Sequence, residues 1–353
     1  MLRWRLIIGP LLIAMLAALC WADAQAAHAG IWLLPLAVLL CLLATQELLE
    51  LLRAGPSRPL AWTVYVGTLL PLLAACAPIA WLDYPPDCPL GRLGWLAGGM
   101  AAGLLVAVVG EMSRYAQSGP TAAPDRATAA DLAMGADAST GAEVSIASGS
   151  VGLESRELGS AGLGSTGLGQ TTANLAAAAF SVLYVGGLLG FLVQLRLLPV
   201  AGNVSRGGLL AMLSMIIVVK ATDIGAYTAG HLWGRRKLAP SLSPGKTCEG
   251  AIGGLVLAIG CALLCLGPLA RSLGVVSQHD VLPWFGSALL YGLLVSVAGI
   301  VGDLAESLLK RDAGVKDSSQ WLPGFGGVLD LLDSLLLAAP VAYFCWVSGL
   351  LGY

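Results

Sequence analysis

Nine apolar runs constrain this chain more than any other feature. They fall at about 6–21, 31–49, 60–82, 93–110, 174–195, 207–229, 250–269, 284–303 and 328–350. All but the first are long enough to cross, as a helix, a hydrocarbon core about 30 Å thick. Lipid offers no water to the N–H and C=O groups of such a segment, so each must close its hydrogen bonds internally. Composition agrees: 57% of residues are hydrophobic and 11% charged, where soluble domains run at about half and about a quarter. The expected fold is an all-α polytopic membrane protein with about nine transmembrane helices. The first run carries a second reading. Arg3 and Arg5 precede it and ADAQA follows at 22–26, a pattern that also fits a signal peptide with its cleavage site.

Other classes fall away. A net charge of −2 gives no footprint for a nucleic acid, and no such partner is expected. The eight cysteines lie mostly inside apolar runs and form no CxxC pair, so neither a disulfide framework nor a zinc site is indicated. They read as small buried hydrophobes.

Cations are unevenly shared between the two sides of the membrane. With the N-terminus in the cytoplasm and the runs alternating, the cytoplasmic segments hold Arg3, Arg5, Arg53, Arg58, Arg114, Arg126, Arg156, Arg235, Arg236, Lys237, Lys246, Lys310, Arg311 and Lys316. The other side holds Arg92, Arg196, Arg206 and Arg271. That excess follows the positive-inside rule and sets the N-terminus in the cytoplasm. Three parts follow: helices 1–4 over 1–115, a segment at 116–172, and helices 5–9 over 173–353. The middle segment is rich in Ala, Gly, Ser and Thr and contains LGSAGLGSTGLG. With few large apolar residues it cannot bury a core and reads as a disordered cytoplasmic linker. Its glycines do not make a phosphate loop, because no lysine follows at the required spacing and no strand precedes. Small-residue stretches such as AGGMAAG at 97–103 and GAIGG at 250–254 would let neighbouring helices approach closely.

Charge is otherwise concentrated in two stretches, 220–249 and 310–333, both assigned to the cytoplasmic side. In GDLAESLLKR, Asp303, Glu306, Ser307 and Lys310 are spaced i, i+3, i+4 and i+7 and share one helix face. They could hold a divalent cation and a phosphate together, or simply form internal ion pairs such as Glu306 with Lys310. Asp330 and Asp333 share a face of an otherwise apolar span, where ionised groups are costly and mark function. Asp223 lies near the cytoplasmic end of the sixth run, as a metal ligand or as the partner of Lys220. In SPGKTCEG, Pro244 and Gly245 make a turn from which Ser243, Lys246 and backbone N–H groups could reach an anion, while Glu249 could cap the next helix. LPGFGG at 322–327 is a tight loop whose backbone can approach a ligand. Cations for phosphates, acids for metal and glycine turns at a bilayer suit phosphoryl or nucleotidyl transfer to a lipid, which depends on screening charge and aligning oxygens. A transporter relaying ions through Asp223, Asp330 and Asp333 would spread its charges along a path, whereas these cluster at one face.

The two stretches resemble the CTP:phosphatidate cytidylyltransferase, or CDP-diacylglycerol synthase, family. Its C-terminal signature, S-x-x-K-R-x-x-x-x-K-D-x-x-x-x-x-P-G-H-G-G-x-x-D-R-x-D, is matched in register by Ser307, Lys310, Arg311, Lys316, Asp317, Pro323, Gly324, Gly326, Gly327, Asp330 and Asp333. GDLAES resembles the family's G-D-x-x-E-S, and Asp223 to Tyr227 and Lys237 to Gly250 resemble its first motif. The match covers roughly 220–340. It implies an enzyme of the bacterial inner membrane with its active site facing the cytoplasm. That enzyme would make CDP-diacylglycerol and pyrophosphate from CTP and phosphatidate, with Mg2+ and a monovalent cation such as K+. By the resemblance, Asp223, Asp303 and Glu306 would hold metal. Ser243, Pro244, Lys246, Glu249 and Ser307 would bind substrate phosphate. Asp303, Lys310, Arg311, Lys316, Asp317, Asp330 and Asp333 would serve the chemistry, with Lys310, Arg311 and Lys316 as phosphate binders. A homodimer is a further expectation. The alternatives are a CTP-dependent lipid kinase of the polyprenol type, transfer to another lipid phosphate, or a catalytically reduced relative. Three departures bear on this: Phe325 stands for the family's histidine, Leu331 for its arginine and Cys248 for its tryptophan. Phenylalanine carries no proton and leucine cannot clamp a phosphate, so slower turnover or altered specificity is the expected consequence.

Overall fold

The computed structural model describes residues 2–26, 28–55, 57–77, 91–118, 169–200, 204–275, 277–278, 280–316, 318–319 and 326–353. Among these, nine helical rods coincide with the nine apolar runs. They are α1 (Leu2–Gln25), α2 (Leu33–Ala54), α3 (Ala61–Ala75), α4 (Gly91–Ser118), α5 (Gln170–Arg196), α6 (Val204–Trp233), α7 (Cys248–Ser272), α8 (Val281–Asp312) and α9 (Val328–Val347). Seven of them, α2 and α4 to α9, are long and apolar enough to span a membrane, while α3 and the apolar part of α1 are shorter. The chain is a polytopic, helical membrane protein. Helix reaches into both edges of the expected linker, since α4 runs to Ser118 and α5 starts at Gln170. The rest of that segment lies outside the described residues, as do Asp317 and Phe325.

Lipid tails are as apolar as leucine, so close contact and hydrogen bonds hold such helices together, not water exclusion. On α6, a Cβ added at Gly225 would come within 2.8 Å of the Gly253 carbonyl oxygen on α7, so the two backbones touch there. Hydroxyl pairs add polar joints: Thr222 Oγ1 donates to Ser296 Oγ at 2.8 Å, and Thr45 Oγ1 to Thr68 Oγ1 at 3.0 Å. Two wider π-turns interrupt the rods, at Val182–Gly187 in α5 and at Cys265–Leu269 in α7. The second contains Pro268, whose missing N–H and bulky ring an ordinary α-turn does not accommodate.

Among the described residues, two large apolar clusters form most of the interior, with a small third at Leu49, Val64, Ala107 and Ala178. One is built round α6, with Leu210, Met215, Val218 and Val219 packed against Ala258 and Ala262 of α7, Tyr291 of α8 and Ala339 of α9. The other joins α2, α3 and α5 through Cys41, Leu48, Leu72 and Leu189. Helix α9 belongs to both, because Leu329, Leu332 and Leu336 face the second cluster. It is the wall between the halves.

The two ends of the bundle differ in charge. At one end Arg196 donates to Asp23, which is buried and also accepts from the backbone N–H groups of Gly30 and Trp32. Arg92 reaches the Leu197 carbonyl at the same end. At the opposite end the C-terminal turns of α2, α6 and α8 meet the N-terminal turns of α7 and α9. A short antiparallel hairpin, β1 (Lys237–Ala239) and β2 (Ser243–Thr247), pairs Lys237 with Thr247 and Ala239 with Ser243 and lies across this end.

Candidate active site

A cavity of about 580 Å3 opens between α6, the hairpin, α7, α8 and α9. It falls in the usual range for a small-molecule site, about 300–1,000 Å3. Helix α6 contributes Lys220, Asp223, Tyr227 and His231, which recur every three or four residues and so form one stripe. Lys220 Nζ lies 3.2 Å from Asp223 Oδ2 and also donates to the Leu331 carbonyl, tying α6 to α9. The rings of Tyr227 and His231 stack with centroids 6.1 Å apart.

The hairpin contributes Ser243, Gly245, Lys246 and Thr247. Its shape is held from both sides. Thr247 caps α7 by accepting the Gly250 N–H at 3.1 Å. Glu249 accepts from the backbone N–H groups of Arg235 and Arg236, fastening the chain as it leaves α6. Arg311 Nε donates to the Leu242 carbonyl and braces the turn from α8. Lys246 Nζ then reaches Asp303 Oδ2 at 2.6 Å and closes the hairpin onto α8.

The carboxylate stripe of α8 divides. Asp303 faces the cavity, while Glu306 is completely buried. Lys310 Nζ sits behind the wall, 2.5 Å from Glu306 Oε2 and 2.6 Å from Asp330 Oδ1. The other Asp330 oxygen accepts from Gly327 N (2.7 Å), Ser318 N (3.1 Å) and Ser318 Oγ (2.9 Å). One turn on, Asp333 is nearly buried at the cavity floor and accepts from the N–H and hydroxyl of Ser334. Of the residues expected from sequence, Asp223, Ser243, Lys246, Asp303, Asp330 and Asp333 therefore converge on the cavity. Pro244, Glu249, Glu306, Ser307, Lys310, Arg311 and Lys316 do not line it, and Asp317 lies outside the described residues. Sequence reasoning passed over His231, Thr247 and Ser334, and gave Lys220 and Tyr227 no site role. The helical stripe through Lys220 and Asp223 pointed to Tyr227 and His231.

Gly302 sets the spacing of α8 and α9 at this point, since a Cβ there would lie 2.5 Å from the Asp333 carbonyl oxygen. Gly302→Ala must push α9 away from Asp303. The expected result is about a tenfold or greater loss of turnover, because catalysis is sensitive to ångström displacements, with a stability loss of about 1–3 kcal/mol from overpacking. Steady-state kinetics beside thermal unfolding of the solubilised protein would measure both; unchanged kcat would show that the gap does not matter.

Four carboxylates and two ammonium groups line the cavity. Among the described residues, no three His, Cys, Asp or Glu side chains are grouped to hold one metal ion. The acids are instead distributed along α6, α8 and α9 with lysines between them.

Residues 143–348 match the model of the cytidylyltransferase family. The chain is 44% identical over 139 residues to the uncharacterised protein YnbB of Escherichia coli, covering 39% of this chain and 43% of that protein. It is 45% identical over 138 residues to the phosphatidate cytidylyltransferase of Haemophilus influenzae, covering 39% of this chain and 46% of the relative. The phosphatidate cytidylyltransferase of Bacillus subtilis is 39% identical over 164 residues, covering 46% and 55%. The chain thus spans about half the length of the curated relatives it matches. The family match takes in more than half of the chain, from before α5 to the end of α9, and with it the hairpin and all four cavity acids: the chain belongs to the cytidylyltransferase family.

Proposed function

We propose that this protein transfers the cytidylyl group of CTP to phosphatidate, releasing pyrophosphate and leaving CDP-diacylglycerol in the bilayer. The observation that carries the reading is the meeting of the SPGK segment of β2, through Lys246, with Asp303 at a cavity on the charged end of a membrane bundle. A phosphate oxygen of the lipid would form a new bond to the α-phosphorus of CTP. The bond from that phosphorus to the oxygen bridging to the β-phosphate would break, and its electron pair would leave with pyrophosphate. Lys246, Lys220 and Ser243 would face the phosphates and stabilise charge on the leaving group. Tyr227 and His231, at the rim, would border the nucleoside end.

Mg2+ fits the donor set. It is a hard cation, commonly held by one or two carboxylates together with substrate phosphates and not by an all-protein cage. One or two of Asp223, Asp303 and Asp333 would supply oxygen donors of that kind, and a polyphosphate entering among four carboxylates requires added positive charge. The chemistry such an ion supplies is charge screening and polarisation at the phosphoryl oxygens. Glu306, engaged by Lys310 in the interior, is better suited to support. The excess of cations at the cavity's end, with Arg53, Arg58, Arg114, Arg235, Arg236, Lys237, Lys246, Lys310 and Arg311 there against Arg92 and Arg196 at the far end, supports an active site that faces the cytoplasm, in the bacterial inner membrane.

The test uses purified protein, phosphatidate and Mg2+ with CTP labelled at either the α- or the γ-phosphate. Label entering lipid from the α-position is the expected result. Label from the γ-position would mean a kinase, and no label from either would overturn the proposal.

A further inference from the structure

Helix α9 begins at a glycine, and its first N–H groups have no intrahelical partner. Gly327 at the cap position has no side chain to satisfy them. The acceptor comes instead from α2, far away in sequence. Glu47 Oε1 accepts the Val328 N–H and Glu47 Oε2 the Leu329 N–H, both at 2.8 Å. Glu47 Oε2 also accepts from Ser318 Oγ at 2.9 Å. The carboxylate is only 4% exposed, among apolar residues of α2 and α9. Its donors are two backbone amides and a hydroxyl, so the positive end of the α9 dipole is a main source of compensation for its charge.

Ser318 links this cap to the site. Its hydroxyl lies 2.9 Å from both Glu47 Oε2 and Asp330 Oδ2, one proton between two carboxylates. A Cβ on Gly327 would overlap both the Glu47 carboxylate and the Ser318 hydroxyl, so the glycine makes room for the clamp. The first turn of α9 is therefore gripped by Glu47 from α2, by Lys310 from α8 and by Ser318. Asp330 lies within that turn and Asp333 one turn beyond.

We infer that Glu47 is a positioning residue for the acids of α9, contributed by a helix outside the family-matched region. It touches no substrate. It fixes the angle and depth at which α9 presents Asp330 and Asp333 to the cavity. Only the kinetic part of the inference rests on the proposed cytidylyl transfer.

The test uses the full chain in detergent micelles, with Glu47→Ala, Glu47→Gln and Ser318→Ala, and with Glu50→Gln as control. Glu50 lies on the exposed side of the same helix, bonded to Gln46. Glu47→Ala should lower kcat of the folded protein by about 10²-fold, as misplacement of about 1 Å does. KM for CTP should stay within about threefold, since the lost contact positions and does not bind. Glu47→Gln keeps one acceptor oxygen and should fall between. Hydrogen–deuterium exchange over 326–334 should quicken in both Glu47 variants and not in Glu50→Gln.

A merely structural role would lower the folded yield with kcat per folded molecule unchanged, and that result would overturn the inference. If Glu47→Ala does not fold, Glu47→Gln and Ser318→Ala decide: a loss of kcat at steady KM supports it, and unchanged kcat in both overturns it. If the wild-type protein moves no label from CTP, the functional proposal fails by itself. The exchange measurement then still decides on Glu47, with unaltered exchange in the folded variants counting against it.

Discussion

Asp303→Asn is expected to lower turnover by about 10²–10³-fold, the scale seen when a preorganised charged or hydrogen-bonding group is removed from a reacting centre. Thermal stability should change little. The Asp303 side chain is 31% exposed and asparagine has the same shape, so no cavity forms. Its partner Lys246 is 23% exposed, and part-exposed pairs of this kind contribute only about 0–1 kcal/mol. What changes is the charge at the point where Lys246 of the hairpin meets α8. If Asp303 served only to hold Lys246, then Lys246→Ala would reproduce its effect and the double variant would be no worse than either. If Asp303 also acts at the phosphates or on a cation, the two losses should compound. The α-label assay on all three variants separates these cases. Turnover of Asp303→Asn within twofold of wild type would remove Asp303 from the mechanism.

The helices were legible because an apolar run in lipid has few ways to satisfy its backbone. Each of the nine runs became a helix, with errors only at the ends. The hairpin at 237–247 was not legible: the turn expected at Pro244 and Gly245 lies within β2, and the chain reverses at 240–242 instead. It is short, polar and without alternation, and its strands are held by Glu249, Arg311 and Lys246 and not by a buried face. Spacing also over-grouped the acids of α8. Asp303 and Lys310 do share a stripe, but they are seven residues apart, about 10 Å along the axis. Over that distance the neighbour changes from the hairpin to α9, so one residue meets the cavity and the other is sealed behind it. Glu47 shows the other limit. Its contacts with Ser318 and Val328 bridge 271 and 281 positions, and no local pattern in TQELLE at 45–50 distinguishes it from Glu50, which faces outward.

Lys310→Ala separates two accounts of the same residue. By resemblance Lys310 would bind phosphate, and its loss would raise KM for CTP or phosphatidate while leaving the fold intact. The structure gives it different work. Glu306 is fully buried, Asp330 is 11% exposed at its side chain, and Lys310, 14% exposed, lies within 2.6 Å of both. Two carboxylates meeting inside a bundle need the ammonium between them. Taking out one partner of a buried ion pair leaves a charge without compensation and typically costs about 3–5 kcal/mol. Lys310→Ala should therefore lower the Tm of the solubilised protein sharply, and activity should disappear with the folded fraction. The double variant Glu306→Gln, Lys310→Ala should regain part of the stability, because the deepest uncompensated carboxylate is gone. A phosphate-binding lysine would show no such rescue, since neutralising Glu306 does nothing for a missing contact to substrate. An unchanged Tm with a raised KM would return Lys310 to the substrate and leave the Glu306 carboxylate to be held by its surroundings alone, which burial to zero exposure makes costly.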